Sequence, residues 1–154
     1  MTNPPTRPPA SAEVAAHMIK RAEADATRAL DAAAATFGGT PTALTDRAPL
    51  WAQPYIARHN DAMDREHYVC EHITGPITAI HIAVWAPGYV CCSDCADIGL
   101  LSSLCPPAEA HRCDVCGRDC PPPAGLRHGM LRGGHALIHF GCCDPCNDSG
   151  AVTR

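Results

Sequence analysis

Apolar positions recur with helical spacing from Ser11 to about Thr36, where Val14, Met18, Ala22, Ala29 and Ala33 form a stripe beside Ile19, Leu30 and Phe37. Ser11 is suited to cap this helix, Glu13 sits in its favourable first turn, and Gly38 and Gly39 mark its stop. The stripe is narrow and mostly alanine, so the helix is expected to need a surface to lie on: the rest of the chain, a second copy or another protein. Residues 1–10 read as a Pro-rich disordered tail. Pro41, Pro49 and Pro54 make 40–54 a loop with at most a broken turn, and Pro54 opens a short helix running to Arg65. Trp51, Tyr55, Ile56 and Met63 are placed to anchor that helix against the segment that follows.

Beyond residue 66 the rhythm changes to that of strands. Ile77 to Trp85 is rich in β-branched residues, Ala86-Pro87-Gly88 is expected to turn the chain, and Tyr89-Val90-Cys91 to start the return. A helix is expected from Ala96 to Leu104, with Ile98, Leu101 and Leu104 on its apolar side, stopped by Cys105-Pro-Pro. A second hairpin is expected with arms Leu126–Leu131 and His135–Cys142 around Arg132-Gly-Gly134. The fold class is therefore small α+β. It divides into the tail 1–10, a helical region 11–66, a first module 67–104 and a second module 105–154.

The cysteines change this picture most. There are eleven among 154 residues, whereas Phe, Trp and Tyr together number seven, so the apolar core is thin and a further staple is needed. The cysteines fall into short pairs. Cys70-x-His72 is followed after nineteen residues by Cys92-x-x-Cys95, and Cys113-x-x-Cys116 after twenty-six by Cys143-x-x-Cys146. Two ligands two or three residues apart chelate one ion and a returning strand supplies the other pair, so the spacing points to two tetrahedral zinc sites per chain. Disulfides are the rival. The Pro-rich beginning lacks a signal-type apolar stretch and the cysteine count is odd, which favours metal thiolates in a reducing cytoplasm. No run approaches eighteen apolar residues, so no membrane partner is expected.

Some assignments stay open at this level. Cys91 and Cys142 adjoin Cys92 and Cys143 and are candidates to replace them; the i, i+3 geometry of a knuckle favours Cys92 and Cys143. Cys120 could compete in the second set, and His67 or His81 could stand in for His72. The remaining cysteines, with Cys105, read as small buried hydrophobes.

Knuckle, hairpin, then knuckle at a helix start resembles the treble-clef class of zinc fingers over roughly residues 68–104. Cys113-x-x-Cys116-Gly117 with its closing pair is similar to a zinc ribbon or truncated treble clef. Val90-Cys-Cys-Ser-Asp-Cys95 and Gly141-Cys-Cys-Asp-Pro-Cys146 make the modules a degenerate repeat. The resemblance implies structural zinc and leaves function open, because such modules host many roles.

Sites with four protein ligands are structural, so no enzyme is expected. There is no H-E-x-x-H and no H-x-E with P-C-x-x-C. Cys116-Gly and Cys146-Asn147 partly resemble the zinc-bearing edges of HNH endonucleases, with His128, His135 and His139 between them but no Asp-His pair. His139-x3-Cys143-x2-Cys146 resembles the zinc anti-sigma string, on a segment that reads as strand and turn instead of helix. Net charge is −4, and thiolate ligation of two zinc ions lowers it to about −7. A nucleic-acid binder normally carries a basic footprint. Arg118, Arg127, His128, Arg132 and His135 on the second hairpin are the best candidates for one. The reading that follows is a non-enzymatic zinc-bound interaction or adaptor protein, partnered by another protein or by itself through the N-terminal helix. Nucleic-acid regulation is the alternative, and a degenerate nuclease a distant third.

Overall fold

The computed structural model describes residues 12–37, 42–43, 48–73, 78–97 and 99–153. The tail 1–10, the Ser11 cap, Gly38, Gly39 and Ile98 lie outside the described residues. In chain order the elements are α1 (Ala12–Phe37), β1 (Thr42–Ala43), α2 (Gln53–Arg65), β2 (Tyr68–Val69), β3 (Ile80–Ala83) and β4 (Ala86–Cys91). They continue as α3 (Ser93–Asp97), α4 (Leu100–Ser103), β5 (Arg127–Gly133), β6 (Ala136–Cys142) and α5 (Asp144–Asp148), with a 3-10 turn at Ala151–Thr153.

Two antiparallel hairpins, β3–β4 and β5–β6, join edge to edge because β3 runs parallel to β6, Ile80 facing Ala136 and Ala83 facing His139. The sheet order is β1-β5-β6-β3-β4-β2. This seam makes one continuous surface out of the two Cys-rich modules. Each hairpin buries one edge strand of the other, which two thin cores alone would not cover.

Strand alternation on β6 divides the packing between two faces. Leu137 faces α1 and packs with Ala26, Leu30 and Ala79. Ile138 and Phe140 point the other way, into a cluster with Leu131, Val84 and the second module's cysteines, flanked by Trp51, Tyr55 and Ile56. This docking keeps Ala22 and Ala29 of the expected α1 stripe and shifts its centre. The buried positions are Ala22, Ala26 and Leu30, whereas Val14 is 50% exposed and Ile19 38%. Ala22 and Ala26, at i and i+4, share a face with Leu30, and that face, not the one bearing Val14 and Ile19, makes the contact.

The anchors also bind more widely than expected. The Trp51 ring lies 4.8 Å from that of Phe140, and its Nε1–H donates to the Val152 carbonyl at 3.0 Å. Tyr55 donates its hydroxyl to the Asp114 carbonyl at 3.3 Å. Trp51 and Tyr55 therefore hold α2 to the second module, while the body of α2 crosses β4 of the first.

The first hairpin turns at Val84-Trp85, not at Ala86-Pro87-Gly88, which lie in β4. Tertiary packing decides this. Val84 is buried against the Phe140 cluster, and the Trp85 indole N–H reaches the Leu101 carbonyl at 2.7 Å. Gly88 serves α2 instead: it has φ +81°, and a Cβ there would sit 3.0 Å from Ala62 Cβ and the Glu66 carbonyl oxygen. The helix expected over 96–104 is split, because Gly99 adopts φ +83° between α3 and α4. The loop 40–54 gains the two-residue β1, paired parallel to β5. The second hairpin turns at Gly134-His135, one residue later than expected.

Candidate metal centres

Each hairpin carries one knuckle before it and one at its far end, where a five-residue helix begins. In the first module Cys70 leaves β2 with its N–H bonded to Val90 O at 3.0 Å, and a tight turn closes from Ile73 N–H to Cys70 O. Parallel pairing of β2 with β4 thus brings Cys70 beside the end of β4, where Cys92 opens the second knuckle. The Cys92 N–H points at Cys70 Sγ, 3.3 Å away, and His72 Nδ1 lies 3.1 Å from Cys95 Sγ.

The second module repeats the arrangement. Cys113 N–H bonds Arg118 O, and Gly117 N–H bonds Cys113 O, with Gly117 at φ +72° letting the chain reverse. The Cys143 N–H points at Cys113 Sγ from 3.4 Å. Asp114 clips this knuckle to β6: its N–H donates to Gly141 O at 2.9 Å, and its Oδ2 accepts the Gly141 N–H at 2.6 Å. Burial pushes the Asp114 carboxyl up to about 6, against the pull of that hydrogen bond.

Cys70, His72, Cys92 and Cys95 place one donor atom each within 4.8 Å of one another, and so do Cys113, Cys116, Cys143 and Cys146. These eight residues are the ones the spacing singled out. A tetrahedral ion with metal–sulfur bonds of about 2.3 Å spaces its sulfurs about 3.8 Å apart. Cys116 Sγ and Cys143 Sγ stand 3.8 Å apart. Both donor sets can hold a metal ion, and their thiol-rich chemistry suits zinc.

The electrostatics agree. Burial works against ionising Cys143, but the N–H of Cys146 and neighbouring thiol hydrogen bonds overcome it and bring the thiol down to about 7. Cys70 moves down in the same way, helped by the Cys92 N–H. Cys95 and Cys146 move up, Cys95 to about 11, because burial and the crowding of other thiols oppose a second thiolate. A divalent cation at the centre would relieve that crowding and ionise the whole set.

The neighbours fall outside these tetrads. Cys91 and Cys142 close their strands as buried thiols, raised to about 12 and about 11, chiefly by burial. Cys120 is buried in the second module's cluster, and its Sγ lies 3.6 Å from Arg118 O. His67 is exposed, and Cys105 is half-buried.

His81 belongs to a feature that the spacing of metal ligands does not reveal. Its Nδ1 lies 2.8 Å from His139 Nε2, and His139 Nδ1 lies 2.8 Å from His128 Nε2. His81 Nε2 continues to Ser93 Oγ at 3.1 Å, inside the first module's second knuckle. The three imidazoles line one sheet face and cross the seam between modules. Each link needs one donor and one acceptor, which neutral rings with matching tautomers supply. Both ring nitrogens of His139 are thereby engaged, so it is not a fifth donor to the second tetrad.

Burial lowers all three histidines, and His139, also beside His128 and His81, falls to about 3. The folded state then binds fewer protons than the unfolded one. Above about pH 6.5 the rings are neutral in both states; as pH falls below that, the unfolded chain takes up protons that the folded chain refuses, so stability declines towards acid. His139→Gln is expected to flatten the acid limb of the stability–pH curve, measured by urea unfolding between pH 4 and 8. Metal loss also destabilises in acid, but it acts equally in both proteins; identical slopes would remove the histidine contribution.

Among the described residues no helix is long and apolar enough to cross a membrane. Compared with family models, curated proteins and solved structures, the chain has no match to any of the three.

Proposed function

We propose that this chain is a non-enzymatic, zinc-stabilised interaction protein of the cytoplasm, with Cys70, His72, Cys92 and Cys95 on one ion and Cys113, Cys116, Cys143 and Cys146 on the other. The convergence of four protein donors at each centre carries this reading. A full set leaves no position for a water or substrate, so the ions hold the hairpins in place and do no chemistry. Zinc sites of this kind contribute on the order of 10–16 kcal/mol in finger peptides, enough to replace the missing apolar core. Knuckle, hairpin and knuckle at a helix start support the treble-clef class for both modules.

The surface that remains supports protein contact over nucleic acid. Tyr68, Val69 and Tyr89 are exposed together at the β2–β4 edge, with the two tyrosine rings 5.2 Å apart. Of the second hairpin's arginines, Arg127 pairs with Asp144 at the surface, which offsets its charge, and Arg132 donates to Gly134 O at 3.0 Å. Of the histidines under the nuclease reading, His139 is buried between two others, while His135, the one whose loss would stop cutting, is half-buried at the hairpin turn.

The test compares affinity capture with a mobility-shift assay. An adaptor captures one defined protein at stoichiometric amounts, loses it on Tyr68→Ala with Tyr89→Ala, and shifts neither duplex DNA nor RNA. A shift that weakens steeply with salt and disappears in Arg127→Ala/Arg132→Ala would establish the nucleic-acid reading instead.

A further inference from the structure

Between the two modules lies a cleft of about 270 Å³. The first module lines it with Trp85 and, from the end of α4, Ser102; the second lines it with Glu109, Asp114, Leu126 and the edge of buried Phe140. The volume is just below that of ordinary small-molecule pockets, so it suits a group the size of one side chain.

Its chemistry has a sign. Glu109 and Asp114 bring two acidic side chains beside the half-buried Trp85 and Leu126, with Asp114 Oδ2 already accepting the Gly141 N–H, while the Phe140 ring is buried beneath. The cation that also lines the cleft, Arg127, is already paired with Asp144. Arg58, which lies near Asp114, is committed elsewhere: its Nη2 donates to Val84 O at 2.6 Å and its guanidinium sits 5.5 Å over the Tyr55 ring. A flat, weakly hydrated cation meets both demands, since it stacks on an aromatic wall and offers forked donors to carboxylates. An ammonium ion is more strongly hydrated and presents no flat face.

We infer that this cleft is a binding site for a guanidinium group, carried either by a small free guanidine or by an arginine side chain of a partner protein. The site is built by both modules at once, so it exists only while both are folded. It goes beyond the adaptor role and stands without it.

The experiment is an NMR titration of the metal-loaded full chain at pH 8 and low salt, following the Trp85 indole N–H resonance. Three probes are used: agmatine, N-acetyl-arginine methylamide and the matching citrulline amide. Both guanidines are expected to shift the Trp85 signal saturably, with the isosteric but uncharged citrulline amide weaker by roughly tenfold or more. Tighter binding of the arginine amide identifies a partner's arginine as the source, and tighter binding of agmatine a free guanidine; either supports the site. Glu109→Gln is expected to weaken binding, and Ser102→Trp, which fills the mouth, to abolish it, each checked for unchanged metal content. Equal binding of the citrulline amide, no saturable shift with either guanidine, or unchanged binding in both variants would overturn the assignment.

Discussion

Cys92→Ser is expected to release one metal ion per chain and unfold the first module, whereas Cys91→Ser is expected to keep both ions. The two sulfurs are neighbours in sequence but face different surroundings. Cys92 stands in the tetrad with Cys70, His72 and Cys95, while Cys91 ends β4 as a buried thiol 1% exposed. Loss of one site removes a contribution on the order of 10 kcal/mol, comparable to the entire net stability of a domain this size. Cys91→Ser costs only the burial of a hydroxyl, about 1–3 kcal/mol. The same contrast is expected between Cys143→Ser and Cys142→Ser. Metal content by mass spectrometry and unfolding by circular dichroism read the two effects separately; equal metal loss within either pair would sink the ligand assignment.

The second large effect is expected at Phe140. Its side chain is 1% exposed, flanked by Trp51 and lying across Gly129, its partner in β5. Phe140→Ala should cost about 3–5 kcal/mol through lost burial and the cavity left behind. Gly129→Ala reaches the same ring from the other side. The added Cβ would stand 2.3 Å from a Phe140 ring carbon, so the ring must move within a packed cluster, at about 1–3 kcal/mol. The two changes are strongly coupled. In the Phe140→Ala background the alanine at 129 meets open space, so Gly129→Ala there is expected to be neutral or mildly stabilising. Additive losses in urea unfolding of the metal-loaded protein would show that the ring does not depend on that glycine.

The two donor sets were the most legible part of the chain because their spacing is local: knuckles of two or three residues bring their donor atoms together whatever else the fold does. The long helix was legible in extent but not in facing. Ala22 and Ala29 of the expected stripe do meet the body, but Val14 does not, and Ala26 and Leu30 beside the stripe complete the contact, since the face was chosen by the sheet beneath it. The turn of the first hairpin was misplaced for a related reason. Pro87-Gly88 is a strong local turn signal, but Val84 and Trp85 are pulled into the core, and Gly88 makes room for α2. Parallel pairing of β3 with β6 joins residues more than fifty positions apart and leaves no local trace. The histidine chain follows from that pairing. His81 and His139 can be read as inward positions of their strands, but only the seam between modules brings them to hydrogen-bonding distance.

Native mass spectrometry of the chain, purified without added metal and without reductant and compared with a denaturing run, tests whether metal or oxidation holds the knuckles. Two zinc ions per folded chain are expected, both lost on denaturation, with the mass of eleven free thiols. Fewer than two ions together with a mass deficit from disulfides would contradict the zinc assignment, because the knuckles would then be held by oxidation and not by metal.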